Sequence, residues 1–257
     1  MDLRLRGKTA LVTGASRGIG LAVTSALVDE GVQVVAASRS TDGELKSLPV
    51  DAVAVDLSTA DAPGRLVNDV VARTGGIDIL VNNVGFVRPR PAGFLSVTDD
   101  DWLNTLNLDL MSAVRATRAA LPSLIERAGA IVTVCSVNAT LPDPLVIDYS
   151  AAKAACLNFF KSLSKEVGAH GVRVNTVSPG PVATDLWLGK GGVAETVGGA
   201  SGADPGEVAA NAAKSMVTGR FTKPEEVADL VVFLASDRVG NLTGANIIID
   251  GGLTESL

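Results

Sequence analysis

The chain's one tyrosine, Tyr149, stands four residues before Lys153 and thirteen after Ser136. The pattern over residues 150–167 predicts a helix, and side chains four apart on a helix share a face. A phenol and an ammonium are therefore expected side by side. A phenol ordinarily keeps its proton to about pH 10, and a neighbouring ammonium favours the phenolate. Such a pair can give a proton to a carbonyl oxygen, or take one from an alcohol, while a hydride moves at carbon. Ser136 follows the apolar run 131–134. It is expected at the C-terminal end of a strand, where open α/β sheets bind ligands, with its hydroxyl holding the reacting oxygen against Tyr149. A tyrosine is more often an amphipathic core anchor, but the spacing of these three residue types argues for catalysis.

A second cluster lies near the N-terminus. Thr13-Gly-Ala-Ser-Arg-Gly-Ile-Gly20 follows an apolar run and opens a helical pattern. Glycines at 14, 18 and 20 allow a sharp turn and a close approach of backbone to a pyrophosphate, which the following helix N-terminus favours. The spacing is G-x-x-x-G-x-G rather than G-x-G-x-x-G. Gly14, Ser16, Arg17, Gly18, Ile19 and Gly20 are thus candidate dinucleotide contacts. The next strand ends at Ser38, where an NAD-preferring site usually carries an acid for the ribose 2′-hydroxyl. Arg39 follows, and with Arg17 it can grip a 2′-phosphate, so NADP(H) is expected over NAD(H). The same turn also reads Gly14-Ala-Ser-Arg-Gly18, a hydrolase elbow. That would need a histidine partner, and His170, the chain's one histidine, reads as a turn residue.

Short β-branched runs alternate with longer helical patterns. Strands are predicted at 9–13, 32–37, 51–55, 77–81, 130–134, 172–177 and 247–249, and helices at 18–30, 63–73, 99–127, 150–167 and 224–235. Continuous apolar strands separated by helices predict a parallel sheet covered on both faces, a doubly wound Rossmann-type α/β fold in one domain spanning 1–257. Residues 189–206 are rich in glycine and alanine without firm periodicity, and a mobile flap is expected there.

With 257 residues, 47% of them apolar, and a net charge of −6, the chain can bury a large core but offers no footprint for nucleic acid. Two cysteines, Cys135 and Cys156, cannot frame a disulfide scaffold and read as core thiols of a reducing compartment. No run of ~18 apolar residues is present, and the first residues do not read as a signal peptide. A cytoplasmic location without membrane contact is expected. No metal site is predicted.

Taken in order and spacing, several segments resemble short-chain dehydrogenases/reductases, in particular their 3-oxoacyl reductase-like branch. These are residues 13–20, Asp56-Leu57, Asn82-Asn-Val-Gly85, Ser136 with Tyr149-Ser-Ala-Ala-Lys153, Ser178-Pro-Gly-Pro-Val-Ala-Thr184, residues 219–227 and Asp250-Gly-Gly. The resemblance implies ketone/alcohol interconversion with a nicotinamide cofactor. It gives Lys153 two tasks, tuning Tyr149 and bonding the nicotinamide ribose. An oxidised nicotinamide ring would, like Lys153, favour the phenolate. The resemblance further implies adenine contacts from Asp56 and Leu57, close passage of Asn83, Val84 and Gly85 by the adenosine and ribose, and contacts to the nicotinamide end from Pro179, Gly180, Val182 and Thr184.

One position departs from the family pattern. Where an asparagine is common, thirteen residues before Pro122, this chain has Asp109. Asn107 is roughly 200° away round a helix and cannot simply replace it. Asp109 is expected to take part in catalysis. Its charge would raise the pKa of Lys153 and oppose the phenolate, and the net sign on activity stays open.

Residues 185–218 are expected to form a substrate lid, with Leu186, Trp187, Leu188 and Val193 facing Phe86, Val87, Phe94 and residues 141–145 across a pocket for a fairly apolar small molecule. The resemblance implies a homotetramer through the helices at 99–127 and 150–167, with a dimer as the alternative. An NAD(H)-dependent alcohol dehydrogenase and a silent dinucleotide sensor are the competing readings, and a sensor should have lost Ser136, Tyr149 or Lys153.

Overall fold

The structure, a computed structural model, describes residues 1–255, so the last two residues of the expected single unit lie outside it. Seven parallel strands form one sheet: β1 (Thr9–Thr13), β2 (Gln33–Ser38), β3 (Asp51–Ala54), β4 (Ile79–Asn82), β5 (Ala130–Val134), β6 (Arg173–Pro179) and β7 (Asn246–Ile249). Their spatial order is 3-2-1-4-5-6-7. Every residue of β1 and β5 is buried, as their unbroken apolar runs require of strands covered on both faces.

The strand pleat divides the core. Ala10, Val12, Val34 and Ala36 face one side, where they meet Val23 and Leu27 of α1 (Gly18–Asp29) and Val227 and Val231 of α9 (Pro224–Ala235). Leu11, Val35 and Ala37 face the other. There they pack with Leu66 and Val70 of α2 (Ala62–Thr74), Leu124 of α4 (Ser112–Glu126) and Phe160 of α5 (Ile147–Val167). The chain leaves β1 toward β2 on one side and returns to β4 on the other. The switch point, and with it the ligand crevice of such a sheet, therefore lies beyond the C-terminal ends of β1 and β4.

The long helix expected over 99–127 is interrupted. Thr98 starts α3 (Asp99–Leu106) through a reciprocal capping box with Asp101, and a wide π turn, Asn107–Met111, joins it to α4. Such turns are frequent at functional sites, and this one carries Asp109. The stretch 189–206, expected to be an irregular flap, contains the helix α7 (Val193–Ser201), and the wider segment 185–218, expected as the lid, also carries α6 (Asp185–Leu188) and α8 (Pro205–Lys214). Asp204 caps α8 by accepting from the Gly206 and Glu207 N–H groups at 2.8 and 3.2 Å, with Pro205 at the first helical position. Among the described residues no helix is long and apolar enough to cross a membrane.

Candidate active site

The glycine turn leads from β1 into α1. Gly14 and Gly18 have φ of 66° and 54°, in the left-handed region. At Gly20 a Cβ would sit 2.1 Å from the Gly14 carbonyl oxygen and 2.4 Å from Asn83 Nδ2, so no side chain fits there. Asn83 braces the turn from β4: its Nδ2 donates to the carbonyls of Thr13 and Gly14 at 3.3 and 3.1 Å, and its N–H donates to Thr13 Oγ1 at 3.0 Å. Arg17, at the N-cap of α1, gives no side-chain acceptor to the first turn of the helix. Ser16 and Ile19 are half-buried on the same turn.

At the end of β2, Ser38 is buried and its hydroxyl donates to the Ser40 carbonyl, while Arg39 and Arg17 are exposed. Asp56 is exposed after β3. Its carboxylate accepts the Ser58 N–H at 3.0 Å and is held below the ordinary range, chiefly by its hydrogen bonds to Ser58, with a smaller pull from Arg39. The Leu57 side chain, expected beside adenine, is packed in the core, so any ligand contact there falls to its backbone.

On the far side of the switch point the four expected catalytic residues come together. Ser136 follows β5, and Tyr149 and Lys153 lie one turn apart on α5, with the Lys153 Nζ 5.5 Å from the phenol ring centroid. Lys153 is buried at 3% exposure; its Nζ donates to the Val134 carbonyl at 3.4 Å and lies 3.5 Å from Asp109 Oδ1. Asp109, 1% exposed, also accepts the Phe86 N–H on Oδ1 at 3.1 Å, while Oδ2 finds no partner among the described residues. Gly85 lies against this pair: a Cβ there would be 3.1 Å from Asp109 Oδ1 and 3.2 Å from Lys153 Nζ. Val84 beside it packs partly against the core. Asn107 faces away, its amide donating to the Ser58 carbonyl and accepting from Arg115 at 2.6 Å, so it does not stand in for Asp109.

The charges in this cluster act on one another. Burial raises Asp109 to about 6 against the opposing pulls of Lys153 and the Phe86 N–H. Burial alone would lower Lys153, but Tyr149 and Asp109 outweigh it and hold the ammonium above its ordinary range. Tyr149 goes up: burial is the largest cause, Asp109 adds to it, and Lys153 and the Ser136 hydroxyl pull the other way. The lowering expected of Lys153 is thus present as one contribution but does not set the net direction.

Two further features were not read from the sequence. Arg90, 9% exposed, donates from Nη2 to Asp148 Oδ2 at 2.5 Å and from Nη1 to Asp101 Oδ1 at 2.9 Å. Thr105 donates to the same Asp148 oxygen at 2.8 Å. This cluster pins the loop after β4 to α3 and to the residue just before Tyr149. The second feature is Asn138, whose side chain bonds Ser136. The Arg88-Pro-Arg90-Pro91 run and the Asp148-Tyr149 pair are the sequence marks of the first, and Ser-x-Asn at 136–138 is that of the second.

The last wall follows β6, which ends at Pro179. A Cβ at Gly180 would be 2.8 Å from Asp250 Cβ, and Thr184 Cγ2 lies 3.1 Å from where one would stand at Gly18. Thr184 thus reaches the glycine turn, whereas Val182 is buried in the core. Phe86, Phe94, Leu141, Leu186 and Leu188 are exposed, and Trp187 meets Phe221 at a ring separation of 5.3 Å. Val193 is buried and is not free contact area. His170 is exposed ahead of the N-terminal end of β6, on the edge of the sheet opposite the glycine turn, so the hydrolase constellation does not form. Cys135 and Cys156 are free and buried in the core.

A side-chain-free cradle at one end, two exposed guanidinium groups beside it and a Tyr–Lys–Ser group at the other suit a nicotinamide dinucleotide lying across the switch point. Comparison with known proteins agrees. Residues 14–254 match the family described as Enoyl-(Acyl carrier protein) reductase. The chain is 35% identical to the 3-oxoacyl-[acyl-carrier-protein] reductase FabG of Thermotoga maritima, over 98% of this chain and 99% of that protein. It is 36% identical to the D-threitol dehydrogenase of Mycolicibacterium smegmatis, over 98% and 95%. The structure of L-sorbose reductase from Gluconobacter frateurii, complexed with NADPH and L-sorbose, superposes with a TM-score of 0.91 at 33% identity, with both chains fully covered.

Proposed function

From a chain that belongs to the short-chain dehydrogenase/reductase family, in its 3-oxoacyl reductase-like branch, we propose an enzyme that interconverts a ketone and a secondary alcohol with NADP(H), using Tyr149 as general acid and base. The observation that carries this reading is the phenol of Tyr149 held beside a buried ammonium, with Ser136 at hand. The dinucleotide, when bound, supplies the hydride to the carbonyl carbon or accepts it from the alcohol. Tyr149 gives its phenolic proton to the carbonyl oxygen in reduction and takes it back in oxidation. Ser136 holds that oxygen by a hydrogen bond. Lys153 keeps a positive charge next to the phenol and bonds the nicotinamide ribose, and Asp109 sets how much of that charge Tyr149 feels.

The binding roles follow the walls of the crevice. Gly14, Ser16, Gly18, Ile19 and Gly20 receive the pyrophosphate. Arg17 and Arg39 hold the 2′-phosphate, since Ser38 puts no acid at the end of β2. Asp56 and the Leu57 backbone meet the adenine, and Asn83, Val84 and Gly85 pass the adenosine and ribose. Pro179, Gly180, the Val182 backbone and Thr184 meet the nicotinamide end. The NADPH in the L-sorbose reductase structure supports the cofactor assignment. Helices α6 to α8 act as the substrate lid. The proposed assembly is a cytoplasmic homotetramer through the faces of α3, α4 and α5, where Leu103 and Ile125 are exposed. The substrate is a small carbonyl or alcohol; relatives named for 3-oxoacyl chains and for threitol or sorbose bracket the choice.

The test is Tyr149→Phe, followed by the absorbance of reduced nicotinamide with a panel of ketones, and by NADPH binding from its fluorescence. Turnover should fall by at least ~10²-fold, as expected for a lost general acid, with binding within about twofold. Strong residual turnover would place the proton donor elsewhere.

A further inference from the structure

Ser136 has one proton to donate and two lone pairs to accept with. Its hydroxyl donates to Asn138 Oδ1 at 3.2 Å, and it accepts the backbone N–H of Asn138 at 3.2 Å. The orientation of the amide is fixed by its other end, because Asn138 Nδ2 donates to the Leu141 carbonyl at 3.3 Å and a carbonyl can only accept. Asn138 therefore presents an oxygen, not an N–H group, toward Ser136. Asn138 is half-buried, and the hydroxyl it engages is the one that must hold the reacting oxygen.

A simple ketone entering this site brings an acceptor and no donor. For Ser136 to donate to it, the hydroxyl must turn away from Asn138 and leave the Oδ1 of this half-buried residue without its partner beside the bound substrate. An unpaired acceptor of this kind carries a desolvation cost. A substrate with a hydroxyl on the carbon next to the carbonyl removes it: the carbonyl takes the Ser136 proton and the substrate hydroxyl donates to Asn138 Oδ1. Resting on the reductase reading above, we infer that Asn138 is a specificity-determining residue that selects α-hydroxyketones, and vicinal diols in the reverse direction, over plain ketones and alcohols.

The test compares 3-hydroxy-2-butanone with 3-methyl-2-butanone, which differ by a hydroxyl for a methyl, in the wild-type protein and in Asn138→Ala. The wild type should favour the hydroxyketone, and the variant should reduce that preference in kcat/KM by roughly tenfold, which corresponds to about 1.4 kcal/mol. Part of the change should come from a rise with the plain ketone, because Ser136 no longer has to leave a partner; a variant that had merely lost structure would not speed up. Binding of both ketones to the NADP⁺-loaded protein, read by calorimetry without turnover, should show the same collapse of preference. A preference that is equal in the two proteins, by rate and by binding, overturns the role of Asn138 and leaves the reductase reading intact. Absence of turnover with both ketones, and with NADPH and NADH alike, counts against the reductase reading, while the binding comparison still decides the question about Asn138.

Discussion

Asp109→Asn removes one charge from the catalytic cluster with almost no change in shape, and the asparagine oxygen can still accept the Phe86 N–H. The carboxylate lies 3.5 Å from the Lys153 Nζ, which lies 5.5 Å from the centre of the phenol ring, so carboxylate and ring are no more than about 9 Å apart. At an effective dielectric constant of about 20, two unit charges at that separation interact by about 1.8 kcal/mol, or ~1.3 pKa units. The sign follows from the titration of Asp109, which burial raises to about 6. As pH rises through that value the carboxylate acquires its charge, and the charge opposes the Tyr149 phenolate. The Lys153 ammonium keeps the Val134 carbonyl as its hydrogen-bond acceptor in the variant. The variant should therefore ionise Tyr149 at lower pH. In alcohol oxidation with NADP⁺, the alkaline-rising limb of kcat/KM should move about one unit toward acid, and any inflection near pH 6 in the wild type should vanish. A midpoint that stays in place, or moves to higher pH, would refute the assignment of Asp109 as a charge that adds to burial in raising Tyr149.

Arg39→Ala should weaken NADPH at least ~10-fold while NADH changes little, since only NADPH offers a 2′-phosphate; an unchanged ratio of dissociation constants would remove the basis for the cofactor preference. Arg90→Met leaves the buried Asp148 carboxylate without its ion partner and should cost about 3–5 kcal/mol in urea unfolding, whereas a loss below ~1 kcal/mol would show that the cluster is ornamental. Burial would raise Asp148, but its bonds from Arg90 and Thr105 hold it below the ordinary carboxylate range. Its contribution to stability is thus full above about pH 4 and lost as pH falls through the lowered value, a dependence that Arg90→Met should abolish.

What could be read from the sequence was local. The run at Thr9–Thr13 is wholly apolar or β-branched, the glycines at 14, 18 and 20 occupy one turn, and Tyr149 and Lys153 are one helical turn apart, so each carries its own geometry within a few residues. The bounds of β5 and α9 were legible for the same reason. The lid helices were not, because α6 is a single turn and the glycines within and around α7 disfavour helix locally; the Asp204-Pro205 start of α8 was a sign available. The π turn at Asn107–Met111 escaped because a strict 3.6-residue period carries no mark of an inserted residue. Arg90 and Asp148 are 58 positions apart, and although each stands in a marked local run, their pairing is set only when the loop after β4 meets α5.

Tyr149 illustrates the remaining difficulty best. From spacing alone the ammonium beside it argues for a lowered phenol. In the fold, burial and the Asp109 charge outweigh that pull. Both effects belong to the walls that exclude water, which β4, β5 and the π turn build only when they meet. The same exclusion makes the ammonium effective, because a charge screened by water would hardly reach the phenol. The feature that raises Tyr149 is thus also the one that gives Lys153 its leverage, and Asp109, sharing that enclosure, is where a single neutral substitution can separate the two.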